Sequence, residues 1–363
     1  MVAHRARDVQ AMWHRSVRPF PAMLVIFHPD ATAAEIEAVV DRITATGAGA
    51  QRVVGAEQTV IGVIDGDRDH LTSLELDADA GVDRVVPVSS PYKLAHKHRH
   101  GDRPHPVEIA GVSFGGPDAP FRLILGPCAV ESREQTFTAA AACADAGADL
   151  LRGGAFQPRT SPYAFQGLGV EGLKILAEAR EQTGLPIVTE LTDLRDVDAV
   201  VEYADCIQVG ARNMQHFPLL TEIGRSGMPV LLKRGMGASV DDFLLAAEYI
   251  LTEGNPHVVL CERGIHAKAT PARSCLDLAA VTVLKEHTHL PVIVDPSHAA
   301  GRRALVQPLA LAAAACGADG LIVECHPNPS QARCDGPQAI TLDALPDFVA
   351  RVRAVAQVAQ VVA

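Results

Sequence analysis

Aromatic residues make up only 4% of the 363-residue chain, with a single tryptophan. Ala, Val and Leu must therefore fill most of the interior, within a hydrophobic share of 48%, as they do in α/β proteins. Long apolar runs are missing. None approaches the roughly 20 residues that a membrane helix needs. The opening segment, MVAHRARDVQAMWHRSVRPF, lacks the apolar stretch of a secretory signal, which points to the cytoplasm; its basic character leaves a transit peptide as the alternative. The chain has no CxxC pair. Its eight cysteines (Cys128, Cys143, Cys206, Cys261, Cys275, Cys316, Cys325 and Cys334) are scattered and absent from the first third, so reduced thiols fit better than a disulfide framework. Positive charge is in deficit: the net charge of −11 argues against a general nucleic-acid or anionic-membrane binder. A Walker loop is also absent, which removes that nucleotide fingerprint.

What is present falls into parts. Residues 1–20 read as a flexible tail. Residues 21–90 read as a small α+β domain. AMLVIFH is a strand, and Thr32 and Glu35 form a capping box opening a helix with Ile36, Val39, Val40 and Ile43 on one face. QRVVG and TVIGVI are strands around a turn at Ala56 and Glu57. A short helix around 68–78 and the strand DRVVPV complete a βαββαβ order, which is ferredoxin-like. Residues 91–106 are a His-rich basic linker, read as solvated rather than metal-binding. Residues 107–116 form a hairpin that opens the last part, 107–363. From residue 121 eight apolar strands alternate with helix-length segments: FRLILGP, ADLLRGG, LPIVTEL, DCIQVG, MPVLLKR, HVVLCER, LPVIVDP and DGLIVEC. Strands of this kind are parallel and buried on both faces. Eight of them over about 235 residues predict a closed (β/α)8 TIM barrel rather than an open doubly wound sheet.

In such a barrel the active site lies at the C-terminal ends of the strands. Arg152, Arg159, Arg212, Lys233 and Arg263 all fall there. Fixed cations gathered in one cleft of an acidic protein suit a small polyanion, because guanidinium forks bind phosphate and carboxylate. Pairing with barrel carboxylates such as Glu190 or Glu262 is the structural alternative for any one of them. A second group, Cys128, His298, Glu324 and Asp335, comes from strands 1, 7 and 8 and the loop beyond. One thiolate, one imidazole and two carboxylates suit a divalent transition metal (Mn, Fe, Co or Zn). His326 is a spare candidate.

The same residues lie in GPCAVES, LRGGAFQPRTSPYAFQGLG, VGARNMQ, VLLKRGM, CERGI, VDPSHAAGRR, VECHP and CDGPQ, with SSPYKLA at the domain junction. In this order, over about residues 22–350, the chain resembles the 3-deoxy-D-arabino-heptulosonate 7-phosphate (DAHP) synthases of type Iβ, which carry an N-terminal ferredoxin-like domain. The resemblance implies a transferase that condenses phosphoenolpyruvate with erythrose 4-phosphate, the first step toward the aromatic amino acids. It implies that Cys128, His298, Glu324 and Asp335 hold the metal. Phosphoenolpyruvate would meet Arg152, Arg212, Lys233 and Arg263, and the aldehyde phosphate Arg159, Thr160 and Ser161. Glu190 would join the substrate site, and Cys128, Lys233 and His298 would carry the chemistry. A homotetramer, inhibited by an aromatic amino acid at the small domain, is also implied.

Two positions depart from the family pattern. The lysine of its Lys-Pro-Arg-Thr loop is Gln157 here, which also belongs to the expected substrate site but brings no charge and no acid. After Gly264-Ile265 the chain reads His266-Ala-Lys268-Ala in place of an Arg-Thr-Phe-Glu-rich stretch; Lys268 is a candidate to replace the lost charge. These departures leave two alternatives open. One is a related phosphoenolpyruvate–aldose condensing enzyme with another acceptor, as in octulosonate 8-phosphate synthesis, although that group typically lacks the equivalent of Arg159-Thr160. The other is a weakly active regulatory paralogue.

Overall fold

A computed structural model of the chain describes residues 23–54, 58–64, 71, 73–87, 91–97, 104–116, 119–268 and 270–362. The expected tail, the Ala56–Glu57 turn, residues 68–70 and 72 of the short helix, and residues 98–103 of the linker lie outside the described residues. The chain divides after Lys93 into two units.

The first unit follows from its sequence pattern. β1 (Met23–Phe27) alternates buried and half-buried residues, the signature of a strand with one face on a core. Thr32 and Glu35 close the predicted capping box at the start of α1 (Ala33–Ala45). Ile36, Val39 and Ile43 then fall on one helical face and join Val25, Phe27, Ile61 and Val63 in a single core. β2 (Gly49–Val54), β3 (Thr59–Ile64) and β4 (Val82–Pro87) complete an antiparallel sheet of order β2-β3-β1-β4. A 3-10 turn at Leu76–Ala78 occupies the end of the region read as a second helix.

In the second unit, β5 (Val107–Ile109) and β6 (Val112–Phe114) form the predicted hairpin. The eight predicted barrel strands follow as β7 (Arg122–Gly126), β8 (Leu150–Arg152), β9 (Ile187–Glu190), β10 (Cys206–Val209), β11 (Val230–Lys233), β12 (Val258–Glu262), β13 (Val292–Val294) and β14 (Gly320–His326). Each pairs in parallel with its sequence neighbours, and β14 closes the ring on β7 through Leu321–Leu123 and Ile322–Ile124. The strands are buried nearly throughout, which is why they read as continuous apolar runs. Helices alternate with them, and Gly184 and Gly227 end two of these in the left-handed conformation that lets the chain turn into the next strand.

Two features orient the barrel. The hairpin sits under its N-terminal end: Val107, Ile109 and Phe114 pack with Ile124, Leu150, Val188 and Leu231, and Arg122 Nε donates to the Ser113 carbonyl at 2.9 Å. The opposite end is left open. Beyond β14 the chain loops out and returns as β15 (Ile340–Thr341), which pairs with Cys325 and His326. This return suspends residues 327–339 over the open end.

The described part of the His-rich segment differs from the solvated linker expected there. The amides of Leu94 and Ala95 donate to the Glu248 carboxylate at 2.7 and 3.0 Å, and the Lys97 ammonium donates to the Lys285 carbonyl. Two backbone amides find a partner in one carboxylate, so the chain is strapped down where composition suggested only a solvated linker. All eight cysteines are free thiols, six of them buried. No helix among the described residues is long and apolar enough to cross a membrane.

Phe114 is fully buried beneath the barrel. Phe114→Ala is expected to destabilise the barrel by about 3–5 kcal/mol, read by chemical denaturation. A loss below about 1 kcal/mol would show that the hairpin is not part of the core.

Candidate active site

The open end of the barrel holds a polar cleft of about 360 Å³. Its walls include every residue expected at the site except Glu324, which lies beneath them, almost fully buried.

The quartet comes together. Cys128, His298, Glu324 and Asp335 each present one donor atom, all within 4.8 Å of one another. Cys128 follows β7, Glu324 lies on β14, and His298 sits on the short helix α2 (Pro296–Ala300) after β13. These strands are ring neighbours, so closure of the barrel is what gathers them. Asp335 reaches in from the loop between β14 and β15. His298 Nε2 is 3.3 Å from Glu324 Oε1 and 3.6 Å from Asp335 Oδ2. His298 Nδ1 is occupied by Asp295 Oδ2 at 2.7 Å, so Nε2 is the nitrogen aimed at the centre. Contact with Cys334, burial and the Glu324 charge push the Cys128 thiol well above its usual pKa. A coordinated cation would reverse that, since it stabilises the thiolate directly. A soft sulfur, an imidazole and two carboxylates fit a first-row divalent cation. His326 turns instead to Glu131, 3.4 Å away.

The cations divide into two kinds. Arg152 is paired with Glu324 at 2.8 Å and Lys233 with Asp295 at 2.5 Å, all four being buried. For these two the structural alternative holds, although the partners are Glu324 and Asp295 rather than Glu190 and Glu262. Glu262 is taken by Arg234, the neighbour of Lys233, which points away from the cleft. Arg159, Arg212 and Arg263 have no carboxylate partner among the described residues within salt-bridge distance. Arg263 is the clearest case. It is 5% exposed, and among the described residues its guanidinium meets only the Gly264 and His298 carbonyls and the Ser274 hydroxyl. Burial lowers its pKa, a cost that a bound anion would relieve. Arg212 is exposed and donates to the Pro158 carbonyl at 3.0 Å. Arg159 touches Cys334 Sγ at 2.6 Å. Thr160 and Ser161 are exposed on the rim beside it.

Glu190 faces the cleft with a raised pKa, chiefly from burial, while Gln208 Nε2 donates to it at 2.9 Å. Any side chain at Gly210 would overlap this carboxylate, which accounts for a glycine where β10 ends. Gln157 borders the cleft, but its amide nitrogen donates to the Cys128 carbonyl at 2.9 Å and the Gly154 carbonyl at 3.3 Å. Its side chain thus braces the backbone of the thiol residue. Lys268 is exposed and does not line the cleft.

Several residues were missed by sequence reasoning. Asp295 bridges Lys233 and His298, and burial, which works to raise its pKa, is outweighed by these two charges and the His298 hydrogen bonds, so it stays well below the usual range. Its place in VDPSH was visible, but not its pairing. Cys334 and Gln338 flank Asp335 within CDGPQ. Arg273 lies four residues beyond the His266-Ala-Lys268-Ala stretch, and no motif marked it.

The fold and the cleft define a barrel enzyme for small anionic substrates, with a donor set for a divalent cation. Residues 104–360 match the profile of the DAHP synthetase I family, and residues 23–90 that of the DAHP synthase ferredoxin-like domain. The chain is 42% identical over 334 residues to the phospho-2-dehydro-3-deoxyheptonate aldolase of Thermotoga maritima, covering 92% of this chain and 98% of the relative. The crystal structure of the Thermotoga maritima enzyme, described as a DAHP synthase, superposes with a TM-score of 0.79 at 41% identity over 93% of this chain and 98% of the other. A 2-dehydro-3-deoxyphosphooctonate aldolase of Syntrophotalea carbinolica is 35% identical over 258 residues, 66% of this chain and 92% of the relative. The chain belongs to the DAHP synthetase I family.

If the quartet holds a cation, Cys128→Ser weakens its affinity by about 10-fold or more, measured by competition with a chromophoric chelator. Unchanged affinity would remove Cys128 from the site.

Proposed function

We propose that the protein condenses phosphoenolpyruvate with erythrose 4-phosphate to give DAHP and inorganic phosphate, the first step of the shikimate pathway. The observation that carries this reading is the set of three arginines without carboxylate partners, Arg159, Arg212 and Arg263, lying in one cleft with the four-donor cluster. Phosphoenolpyruvate lies against Arg152, Arg212, Lys233 and Arg263. The phosphate of the aldehyde lies against Arg159, Thr160 and Ser161. C3 of the enol attacks the aldehyde carbon, water adds at C2, and phosphate leaves.

Cys128, His298, Glu324 and Asp335 hold the divalent cation, with Mn, Fe, Co and Zn all compatible with the donors. When bound, the cation supplies Lewis-acid polarisation of the aldehyde carbonyl. Asp295 keeps the Lys233 ammonium in place and the His298 ring in one orientation. Arg263 and Arg152 are fixed before the substrate arrives, so charge that develops at C2 and the phosphate meets dipoles that need no rearrangement. Glu190, half-buried and with its pKa raised chiefly by desolvation, faces the same cleft. Inhibition by an aromatic amino acid at the ferredoxin-like domain, a homotetramer and a cytoplasmic location belong to the same proposal.

The octulosonate-type reading keeps the chemistry and changes the acceptor; Arg159-Thr160 and the closer likeness to the heptonate aldolase favour erythrose 4-phosphate. A regulatory paralogue has no use for an intact four-donor cluster. Consumption of phosphoenolpyruvate decides among them. The metal-loaded protein is expected to consume it rapidly with erythrose 4-phosphate, and EDTA to stop the reaction. Consumption only with another aldose phosphate would move the enzyme to the second reading, and none with any would favour the third. Arg263→Gln is expected to raise the KM for phosphoenolpyruvate roughly 10- to 100-fold, the loss of one or two charge-assisted hydrogen bonds. An unchanged KM would remove Arg263 from the anion site.

A further inference from the structure

Arg273 enters the cleft from the segment that follows β12. This segment doubles back on itself, with Ile265 bridging Cys275. Its returning arm is pinned to the helix that carries His298: Arg273 N donates to the Ala300 carbonyl at 3.2 Å and Ser274 N to the Ala299 carbonyl at 2.9 Å. Gly301 ends that helix with φ 64°, and a Cβ there would sit against the Arg273 side chain. The side chain therefore crosses the helix end and extends over the donor cluster.

There its Nη1 donates to Asp335 Oδ1 at 3.2 Å and to Gln338 Oε1 at 3.3 Å. The other oxygen of Asp335, Oδ2, faces Cys128 Sγ at 3.5 Å and His298 Nε2 at 3.6 Å. Gln338 Nε2 passes the contact on to Glu324 Oε2 at 2.6 Å, while Glu324 Oε1 faces His298. One guanidinium thus takes the outer oxygen of one carboxylate directly, and that of a second through a single amide. Asp335 has particular need of a brace. Its φ of 52° lies in the left-handed region, where a residue other than glycine stays only if its surroundings hold it. Arg273 also differs from Arg159, Arg212 and Arg263, which pair with no carboxylate: its charge is already answered within the protein.

We propose that Arg273 is a positioning residue for the cation site, fixing Asp335 directly and Glu324 through Gln338, so that one oxygen of each is turned to the centre. This inference rests on the reading of Cys128, His298, Glu324 and Asp335 as the ligands. Outer partners of ligating carboxylates typically contribute 10- to 100-fold to metal affinity.

The test uses the full-length protein, stripped of metal and titrated with Mn(II) or Zn(II) against a chromophoric chelator, with metal release to EDTA timed in parallel. Arg273→Gln is expected to weaken affinity by about 10- to 100-fold and to speed release. Arg273→Lys, which keeps a cationic donor, is expected to recover part of the affinity, and Gln338→Leu to shift it in the same direction by less. At saturating metal the KM for phosphoenolpyruvate stays near the wild-type value. If Arg273→Gln lowers the melting temperature sharply, Arg273→Lys and Gln338→Leu carry the test. Wild-type affinity and release in these variants overturn the inference, as does a raised KM for either substrate with metal affinity unchanged. Cys128→Ser separates the two levels. If it too keeps full affinity, the ligand reading itself has failed; if it weakens binding while Arg273→Gln does not, only the role of Arg273 has failed.

Discussion

A single carboxylate organises the open end of this barrel. Asp295 Oδ2 receives both the Lys233 ammonium and His298 Nδ1, and Asp295 Oδ1 receives the backbone amide of His298. The pair with Lys233 is buried on both sides, in surroundings where the attraction is strong and where losing either partner leaves a stranded charge. The consequences reach both halves of the site. With Nδ1 engaged, His298 can offer only Nε2 to the donor cluster. With Lys233 held by Asp295, the ammonium stays at the strand end beside the unpaired arginines. One side chain, Asp295, thus links the four-donor cluster to the cationic part of the cleft.

Charge balance explains the rest of the cleft. Arg152 and Lys233 are neutralised from within, whereas Arg159, Arg212 and Arg263 are not. Among the described residues Arg263, nearly buried, has only carbonyl and hydroxyl partners, so desolvation works against its charge and a bound anion would relieve it. The same logic runs in reverse at the donor cluster. Glu324 and Asp335 point at a common centre with Cys128, and their repulsion is offset only in part by Arg152 and Arg273. Positive charge is wanted at one place and negative charge a few ångströms away, which is what a metal-assisted condensation of two phosphorylated molecules requires.

Much of this was legible in the sequence. The eight strands were readable because parallel barrel strands are buried on both faces and so appear as unbroken apolar runs. The capping box at Thr32 and Glu35 was readable because its hydrogen bonds are local. Cys128, His298, Glu324 and Asp335 could be grouped because strands 1, 7 and 8 are neighbours once the barrel closes. The direction of a side chain was not legible. Gln157 lines the cleft where the substrate site was expected, but that its amide also braces the Cys128 carbonyl could not be read from the composition of the loop. Lys268 was the candidate to restore a charge, yet Arg273 of the same segment reaches the cleft, because the segment doubles back and docks on the His298 helix. The strapping of Leu94 and Ala95 to Glu248 joins residues about 150 positions apart, and a His-rich composition masked it.

The central claim, that one thiolate and three other side chains hold a divalent cation at the strand ends, is tested most directly by X-ray absorption at the metal edge of the zinc-loaded protein. Ligation by Cys128 gives a single sulfur neighbour at about 2.3 Å together with a nitrogen and oxygen shell, the sulfur vanishing in Cys128→Ser. A coordination sphere of nitrogen and oxygen alone in the unaltered protein would contradict it.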